Sequence, residues 1–140
     1  MELDPNPGSR KYTGSLVRRA QQRHVALWLR EVSTEISSVQ YAALAALAQA
    51  PGLSQRELGD ELDLDRSTIA DLVARMVRHG LVERAQHADD KRRKTLKLAP
   101  EGQAQFEALT PHVATVEQHL TAALTAEEAQ ELRRLLAALL

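Results

Sequence analysis

Apolar residues recur at helical spacing through most of the chain, and polar residues at the ends of each run mark the limits of the helices. The pattern predicts helices over residues 13–33, 37–49, 54–63, 65–79, 100–123 and 125–140. Ser54 and Glu57 have the spacing of a capping box, as do Thr125 and Glu128. Asp65 is a typical N-cap residue for the fourth helix. The chain is therefore predicted to be mainly α-helical.

The apolar period changes between the fourth and the fifth helix. Residues 81–84 and 95–98 are short and compatible with β-strands, and the charged segment between them predicts an antiparallel hairpin. Two helices joined by a tight turn and followed by such a hairpin, or wing, form a winged helix-turn-helix. We therefore predict a mainly α fold with a small β-wing. In it, residues 37–99 are the winged-helix DNA-binding region, residues 13–36 and 100–140 are dimerisation helices, and residues 1–12 are a flexible N-terminus.

The helix over 65–79 has the two faces that a DNA recognition helix needs. Its apolar residues fall on one side, whereas the other side carries small hydroxyl groups near the N-terminus and cations farther along. The helix N-terminus is also expected to accept a phosphate. Because a carboxylate that faces DNA repels phosphate, Asp71 is expected to orient Arg75; accepting a hydrogen bond from a cytosine amino group is the alternative. The residues of this helix predicted to contact DNA are Arg66, Ser67, Thr68, Asp71, Arg75 and Arg78.

The tip of the hairpin is expected to supply a second contact with DNA. Lys91, Arg92 and Arg93 are predicted to reach the neighbouring minor groove, whose negative potential suits arginine. Asp90 lies two residues before Arg92 and is expected to brace the turn. Residues 65–97 hold nine Lys and Arg against five Asp and Glu, although the whole chain has a net charge of −1. A basic face on an acidic body directs one surface toward phosphate.

These segments resemble those of the MarR family of bacterial transcriptional regulators. The resemblance is carried by residues 53–64, 65–68, 80–84, 90–92 and 98–102. Ala99 stands where the family pattern has Thr, so an N-cap interaction of about 1 kcal/mol is expected to be missing. Asp71 departs from the basic residue that is often found at its position. The resemblance implies a winged helix, a homodimer and a pseudo-palindromic operator in double-stranded DNA.

The first helix and the last two helices are amphipathic and do not belong to a minimal winged helix. The last helix ends in a leucine stripe that would otherwise be exposed, so a two-fold dimer is expected to bury it. Packing over the DNA-binding region within one chain is the alternative. The stripe consists of Leu132, Leu135, Leu136, Leu139 and Leu140.

Arg18 lies out of place on the first helix, because its helical neighbours Val25 and Leu29 are apolar. An arginine on an apolar face needs an anion, since an unpaired buried charge costs on the order of several kcal/mol. Glu31 and Glu35 are candidate protein anions, and a carboxylate ligand held by both guanidinium nitrogens is the other candidate.

A ligand site is predicted around this arginine, with Arg18, His24, Trp28 and Tyr41 as its binding residues. An arginine, a histidine and aromatic rings beside an apolar cleft suit an aromatic carboxylic acid that bears a hydroxyl group. Residues 16–24 resemble MarR-type regulators of aromatic-acid catabolism, in which an arginine and a histidine of the first helix bind the effector. The alternative is structural, with Arg18 in a dimer salt bridge and His24 and Trp28 in the core.

Other functions fit less well. The absence of cysteine excludes thiol sensing, and dispersed histidines without a Gly-rich phosphate loop or an activated nucleophile argue against an enzyme or a cofactor. His112 and His119 leave a metal-sensing regulator as an alternative, and a winged helix used for protein contact is another. No membrane span or signal peptide is found, so the protein is expected in the cytoplasm. The sequence predicts a DNA-binding repressor that a phenolic acid releases from its operator.

Overall fold

The computed structural model describes residues 11–86, 89–90, 92 and 94–140. Within them the chain forms helices and one two-stranded antiparallel sheet, which confirms the predicted mainly α fold with a small wing. Helix ends differ from the predicted ones by a few residues. The elements are α1 (Thr13–Glu31), α2 (Ser38–Gln49), α3 (Gln55–Glu61), α4 (Arg66–Arg78), β1 (Val82–Gln86), β2 (Lys94–Leu98), α5 (Pro100–Leu120) and α6 (Ala126–Leu139).

The chain divides into two compact units. One unit is Ser33–Pro111 and contains α2, α3, α4, the sheet and the first half of α5; the other consists of Met1–Val32 with His112–Leu140. We call the first the winged-helix unit and the second the terminal-helix unit. The predicted assignment of residues 37–99 to DNA binding and of the flanking helices to dimerisation stays a prediction about function.

Local capping fixes where the helices of the winged-helix unit begin. The Ser54 hydroxyl accepts the Glu57 backbone N–H at 3.1 Å, and the Glu57 carboxylate accepts the Ser54 backbone N–H at 3.1 Å, as the predicted capping box requires. A turn with Asp63 in the left-handed region joins α3 to α4. The core beneath these helices is fully buried and aliphatic, and it contains Leu44, Leu47, Leu58, Val73 and Met76.

Backbone contacts attach the hairpin to the rest of its unit. β1 and β2 pair from Val82 opposite Leu98 to Gln86 opposite Lys94. The Leu96 N–H donates to the Leu53 carbonyl at 2.8 Å, so β2 is joined to the segment before α3. At the other end, the Ala99 N–H donates to the Leu81 carbonyl at 3.0 Å. The wing is therefore fixed to the helix-turn-helix at its base.

Gly102 explains why α5 can start so close to the wing. A Cβ atom at this position would overlap the Leu81 carbonyl oxygen, so the backbone of the first turn of α5 lies directly against the entry to β1. Ala99 is buried just before this turn. The sequence predicts that Ala99 cannot cap α5 as a Thr would. In the structure its methyl group is packed in the interior instead.

The terminal-helix unit leaves much of its apolar surface uncovered within one chain. Trp28 of α1 is buried, as the structural alternative for it requires, and Leu27, the residue before it, is buried as well. Val17, Val25 and Leu29 of the same helix are 45–52% exposed in the single chain. The five leucines of the predicted α6 stripe are exposed as well. None of the helices in the described ranges is long and apolar enough to span a membrane.

Candidate nucleic-acid interface

The two faces of α4 separate as the sequence predicts. Ile69, Val73 and Met76 are buried, and Leu72 and Val77 are half-buried. The opposite face is exposed, and every predicted DNA contact of this helix lies on it. Whether these side chains contact DNA stays a prediction. They are Arg66, Ser67, Thr68, Asp71, Arg75 and Arg78.

The N-terminus of α4 is occupied by the carboxylate of Asp65. Asp65 Oδ1 accepts the Thr68 backbone N–H at 2.8 Å and the Ser67 hydroxyl at 3.1 Å. These hydrogen bonds, led by the Thr68 N–H, hold the pKa of Asp65 below its usual range. The Asp65 carboxylate thus occupies one backbone N–H of the first turn, and the binding of a phosphate at this helix terminus stays a prediction.

Asp71 does not orient Arg75. Among the described residues the two side chains form no ion pair within 4.0 Å, and both are exposed. Solvent screening explains this, because an exposed pair gains little free energy over two hydrated ions. Instead, both side chains line a shallow cleft of about 280 Å³ whose other wall is the start of α2. The α4 cleft is lined by Ser37, Val39, Thr68, Asp71, Leu72 and Arg75.

The tip of the wing has the brace that the sequence predicts. Asp90 Oδ1 accepts the Arg92 backbone N–H at 2.9 Å, which closes a local turn and leaves the Arg92 side chain exposed. Lower in the hairpin, Lys97 and Glu83 face each other across the strands with their charged atoms 3.7 Å apart. The predicted contacts Lys91 and Arg93 lie outside the described residues.

Arg56 is a basic side chain at this interface that the sequence reasoning missed. It is exposed on α3 and lines a cleft of about 290 Å³ together with Arg66 at the start of α4. The signal was available in the sequence, because Arg56 lies two residues before the apolar Leu58 in α3 and so falls on a different side of the helix from this buried residue.

The four predicted ligand residues divide between the two units. Arg18, His24 and Trp28 belong to the terminal-helix unit, whereas Tyr41 belongs to the winged-helix unit. Arg18 is exposed, and its Nη1 lies 3.5 Å from Gln22 Oε1 on the same helix. The expected partner Glu31 is bound by Arg30 at 2.8 Å. In the single chain Arg18 is exposed, as are its apolar neighbours Val25 and Leu29, so its need for an anion in the dimer or from a ligand stays a prediction.

The aromatic members of this set have partners within their own units. The rings of His24 and Trp28 meet edge to face with centroids 5.9 Å apart. Tyr41 stacks on Phe106 at 5.7 Å, and its hydroxyl lies 2.9 Å from Thr110 Oγ1. Since Thr110 donates its own proton to the Phe106 carbonyl, Tyr41 is the donor of that bond. Tyr41 can therefore offer a ligand only lone pairs while this arrangement lasts.

His112 and His119 were the basis for metal sensing as an alternative function. In the described part of the chain they do not belong to a set of metal ligands. Within it, no group of three or more His, Asp or Glu side chains is arranged to hold a metal ion. His112 and His119 are both exposed on α5. The His119 backbone carbonyl accepts a hydrogen bond from Arg23 at 3.2 Å.

Comparisons with known proteins point to one family. A model of the MarR family matches residues 34–93. The transcriptional regulator HosA of Escherichia coli O127:H6 is 36% identical over 116 residues, which are 83% of this chain and 84% of HosA. The PcaV transcriptional regulator of Streptomyces coelicolor, solved in complex with its natural ligand, is 39% identical with a TM-score of 0.86 over 99% of this chain and 94% of that one. A mutant MarR from Escherichia coli, solved with operator DNA, is 30% identical with a TM-score of 0.82 over 91% and 92%.

Proposed function

Because the chain belongs to the MarR family of DNA-binding transcriptional regulators, we propose that it acts in the cytoplasm as a homodimeric repressor that a small aromatic carboxylic acid releases from a pseudo-palindromic operator. The observation that carries the proposal is the division of α4 into a buried apolar face and an exposed face of hydroxyls, a carboxylate and arginines. A helix of this kind fits the major groove.

The wing supports the same function because it is held in a fixed place beside α4. The Leu81 N–H donates to the Met76 carbonyl at 2.9 Å, and Leu81 in turn accepts from Ala99. The last turn of α4 and the base of the hairpin are therefore tied to each other. With α4 in the major groove, Arg92 at the wing tip is the group that would enter the adjacent minor groove. The related MarR complex with operator DNA is consistent with this use of the fold.

The exposed apolar residues of α1 and α6 support a homodimer. Leu16 and Val25 of α1, like Leu132 and Leu135 of α6, expose more than a third of their surface in the single chain. Leu132 and Leu135 also line a cleft of about 480 Å³ beside Leu124. Exposed apolar residues in such number are usually part of an interface in soluble proteins, and a two-fold axis lets the same residues cover each other.

Arg18 supports an acidic effector because its guanidinium is free of any carboxylate in the described residues and stays exposed on α1. A guanidinium binds a carboxylate with two parallel hydrogen bonds, and the half-buried ring of His24, which packs edge to face on the buried Trp28, lies about two turns farther along α1. The related PcaV was solved with its natural ligand bound. Release of DNA requires that the effector bind the DNA-incompetent form more tightly than the DNA-bound form.

DNA binding is tested with fluorescently labelled duplexes selected by the protein from fragments of its own organism's genome. We expect a selected duplex to bind at least about a thousandfold more tightly than an unrelated duplex at physiological salt. The affinity should also fall steeply as salt rises, because phosphate contacts release counterions. Equal binding of both duplexes would falsify the sequence-specific repressor, and no binding even at low salt would favour a winged helix used for protein contact.

The effector is tested by a thermal-shift screen with mono- and dihydroxybenzoic acids, followed by titration of each stabilising acid into the operator complex. We expect an acid that raises the melting temperature to release the operator as well. Arg18→Ala should weaken that release at least about tenfold, whereas the matched control Arg19→Ala, also exposed on α1, should leave it unchanged. Release by the acids that is equal in Arg18→Ala and wild type would show that the carboxylate binds elsewhere.

A further inference from the structure

The exposed face of α4 carries a carboxylate that is available to DNA. Asp71 has neither a hydrogen bond nor an ion pair in the ranges that the structure describes, although Arg75 lies one turn away. Both side chains line the open α4 cleft. A bound duplex would therefore bring base edges to a carboxylate whose acceptor oxygens are not engaged by the protein.

Ser67 presents a second acceptor on the same face. Its hydroxyl donates its single proton to Asp65 Oδ1 at 3.1 Å, so only lone pairs remain for another partner. The pKa of Asp65 lies below its usual range because the Thr68 N–H and the hydroxyls of Thr68 and Ser67 stabilise the carboxylate. Asp65 is thus ionised at neutral pH and keeps the Ser67 proton engaged.

Helical geometry places these groups in a fixed order. Ser67, Asp71 and Arg75 lie four residues apart, so they share one face with a rise of about 6 Å between neighbours. Along α4 the face therefore presents an acceptor, a second acceptor and then a donor.

We infer that Asp71 selects cytosine in each half-site by accepting a hydrogen bond from the cytosine N4 amino group. The inference rests on the proposed function, since it assumes α4 in the major groove. Guanine and thymine present acceptors there, which repel a carboxylate. Adenine presents an amino group, but its N7 lone pair lies on the same edge and faces the second carboxylate oxygen. On cytosine the group beside the amino donor is C5–H instead of an acceptor, so a carboxylate can approach from that side, away from O6 of the paired guanine.

Replacing Asp71 by Asn exchanges one carboxylate oxygen for an amide nitrogen and so tests the proposed contact with cytosine directly. Asn matches the N6 and N7 atoms of adenine with two hydrogen bonds, so Asp71→Asn should change the preferred base from cytosine to adenine. Wild type and variant select duplexes from a randomised pool, and the base preferences at each position are compared. We expect a preference for cytosine of about tenfold in wild type, a similar preference for adenine at the same position in Asp71→Asn, and unchanged preferences elsewhere.

Glu107→Gln is the matched control, because it removes one exposed carboxylate from α5 instead of α4. Both variants should bind all DNA more tightly through the loss of a negative charge, but only Asp71→Asn should change a base preference. If wild type selects no motif, the proposed repressor function fails and the inference with it. If wild type selects a symmetric motif and Asp71→Asn selects the same bases, the repressor stands and the role of Asp71 is overturned.

Discussion

Gly102 and Asp65 show how single residues position the groups that are predicted to meet DNA. Gly102 lets the first turn of α5 lie against the Leu81 carbonyl, which sets the base of the wing. Asp65 closes the first turn of α4 and engages the hydroxyl of Ser67. Gly102 thus positions the wing. Asp65 determines that Ser67 presents an acceptor near the N-terminus of α4, because it binds the hydroxyl proton of Ser67.

Gly102→Ala should destabilise the protein, because a methyl group cannot share space with the Leu81 carbonyl and the backbone of α5 must move. We expect a loss of roughly 1–3 kcal/mol in the free energy of unfolding, measured by urea denaturation. Gly14→Ala is the control: its Cβ would meet only the exposed ring of Tyr12, 3.1 Å away, so the stability should change little or rise. An unchanged denaturation midpoint for Gly102→Ala would contradict the close contact.

Some residue roles could be predicted from the sequence, and others could not. The cap at Asp65 was predictable because it depends on a side chain and a backbone group three residues apart. The reason for Gly102 was not, since its contact lies at Leu81, in a different element. The predicted contact between Asp71 and Arg75 is not formed, because periodicity tells only which side of a helix a residue occupies. It does not tell whether that side is buried or whether two exposed charges meet.

At the scale of elements, the limits of the helices follow from local sequence signals, whereas the length and register of the hairpin do not. The capping boxes at Ser54 and Thr125 set the starts of α3 and α6 as predicted. The hairpin is longer toward its tip than predicted. β1 extends to Gln86 instead of residue 84, and β2 begins at Lys94 instead of residue 95. Cross-strand register depends on pairing between residues that are distant in sequence, so alternation alone could not fix it.

Arg92→Ala should weaken DNA binding mainly through the loss of one cation at the wing. We expect the slope of log affinity against log salt to become shallower by about one, with the base preferences of α4 unchanged. Arg30→Ala is the control, because this exposed guanidinium lies on α1 and pairs with Glu31 at 2.8 Å. A salt dependence equal to that of wild type would mean that Arg92 stays away from the duplex.

At the scale of the whole molecule, the exposed apolar residues of α1 and α6 require a partner surface. Leu135→Glu should abolish the dimer, because it places a charge within the apolar stripe of α6. Light scattering should then give the mass of the single 15.5 kDa chain instead of twice that mass. Gln130→Glu adds the same charge at an exposed polar position of α6 and should remain dimeric. A dimer that persists in Leu135→Glu would place the interface on another surface.

The most direct test of two-fold DNA recognition is the spacing of the half-sites. A dimer with two α4 helices in successive major grooves needs half-sites about ten base pairs apart, on one face of the duplex. Inserting five base pairs turns one half-site to the opposite face. We expect the affinity of the lengthened duplex, measured by fluorescence anisotropy, to fall to that of a duplex with a single half-site. An affinity that does not change with the insertion would contradict recognition by a two-fold dimer.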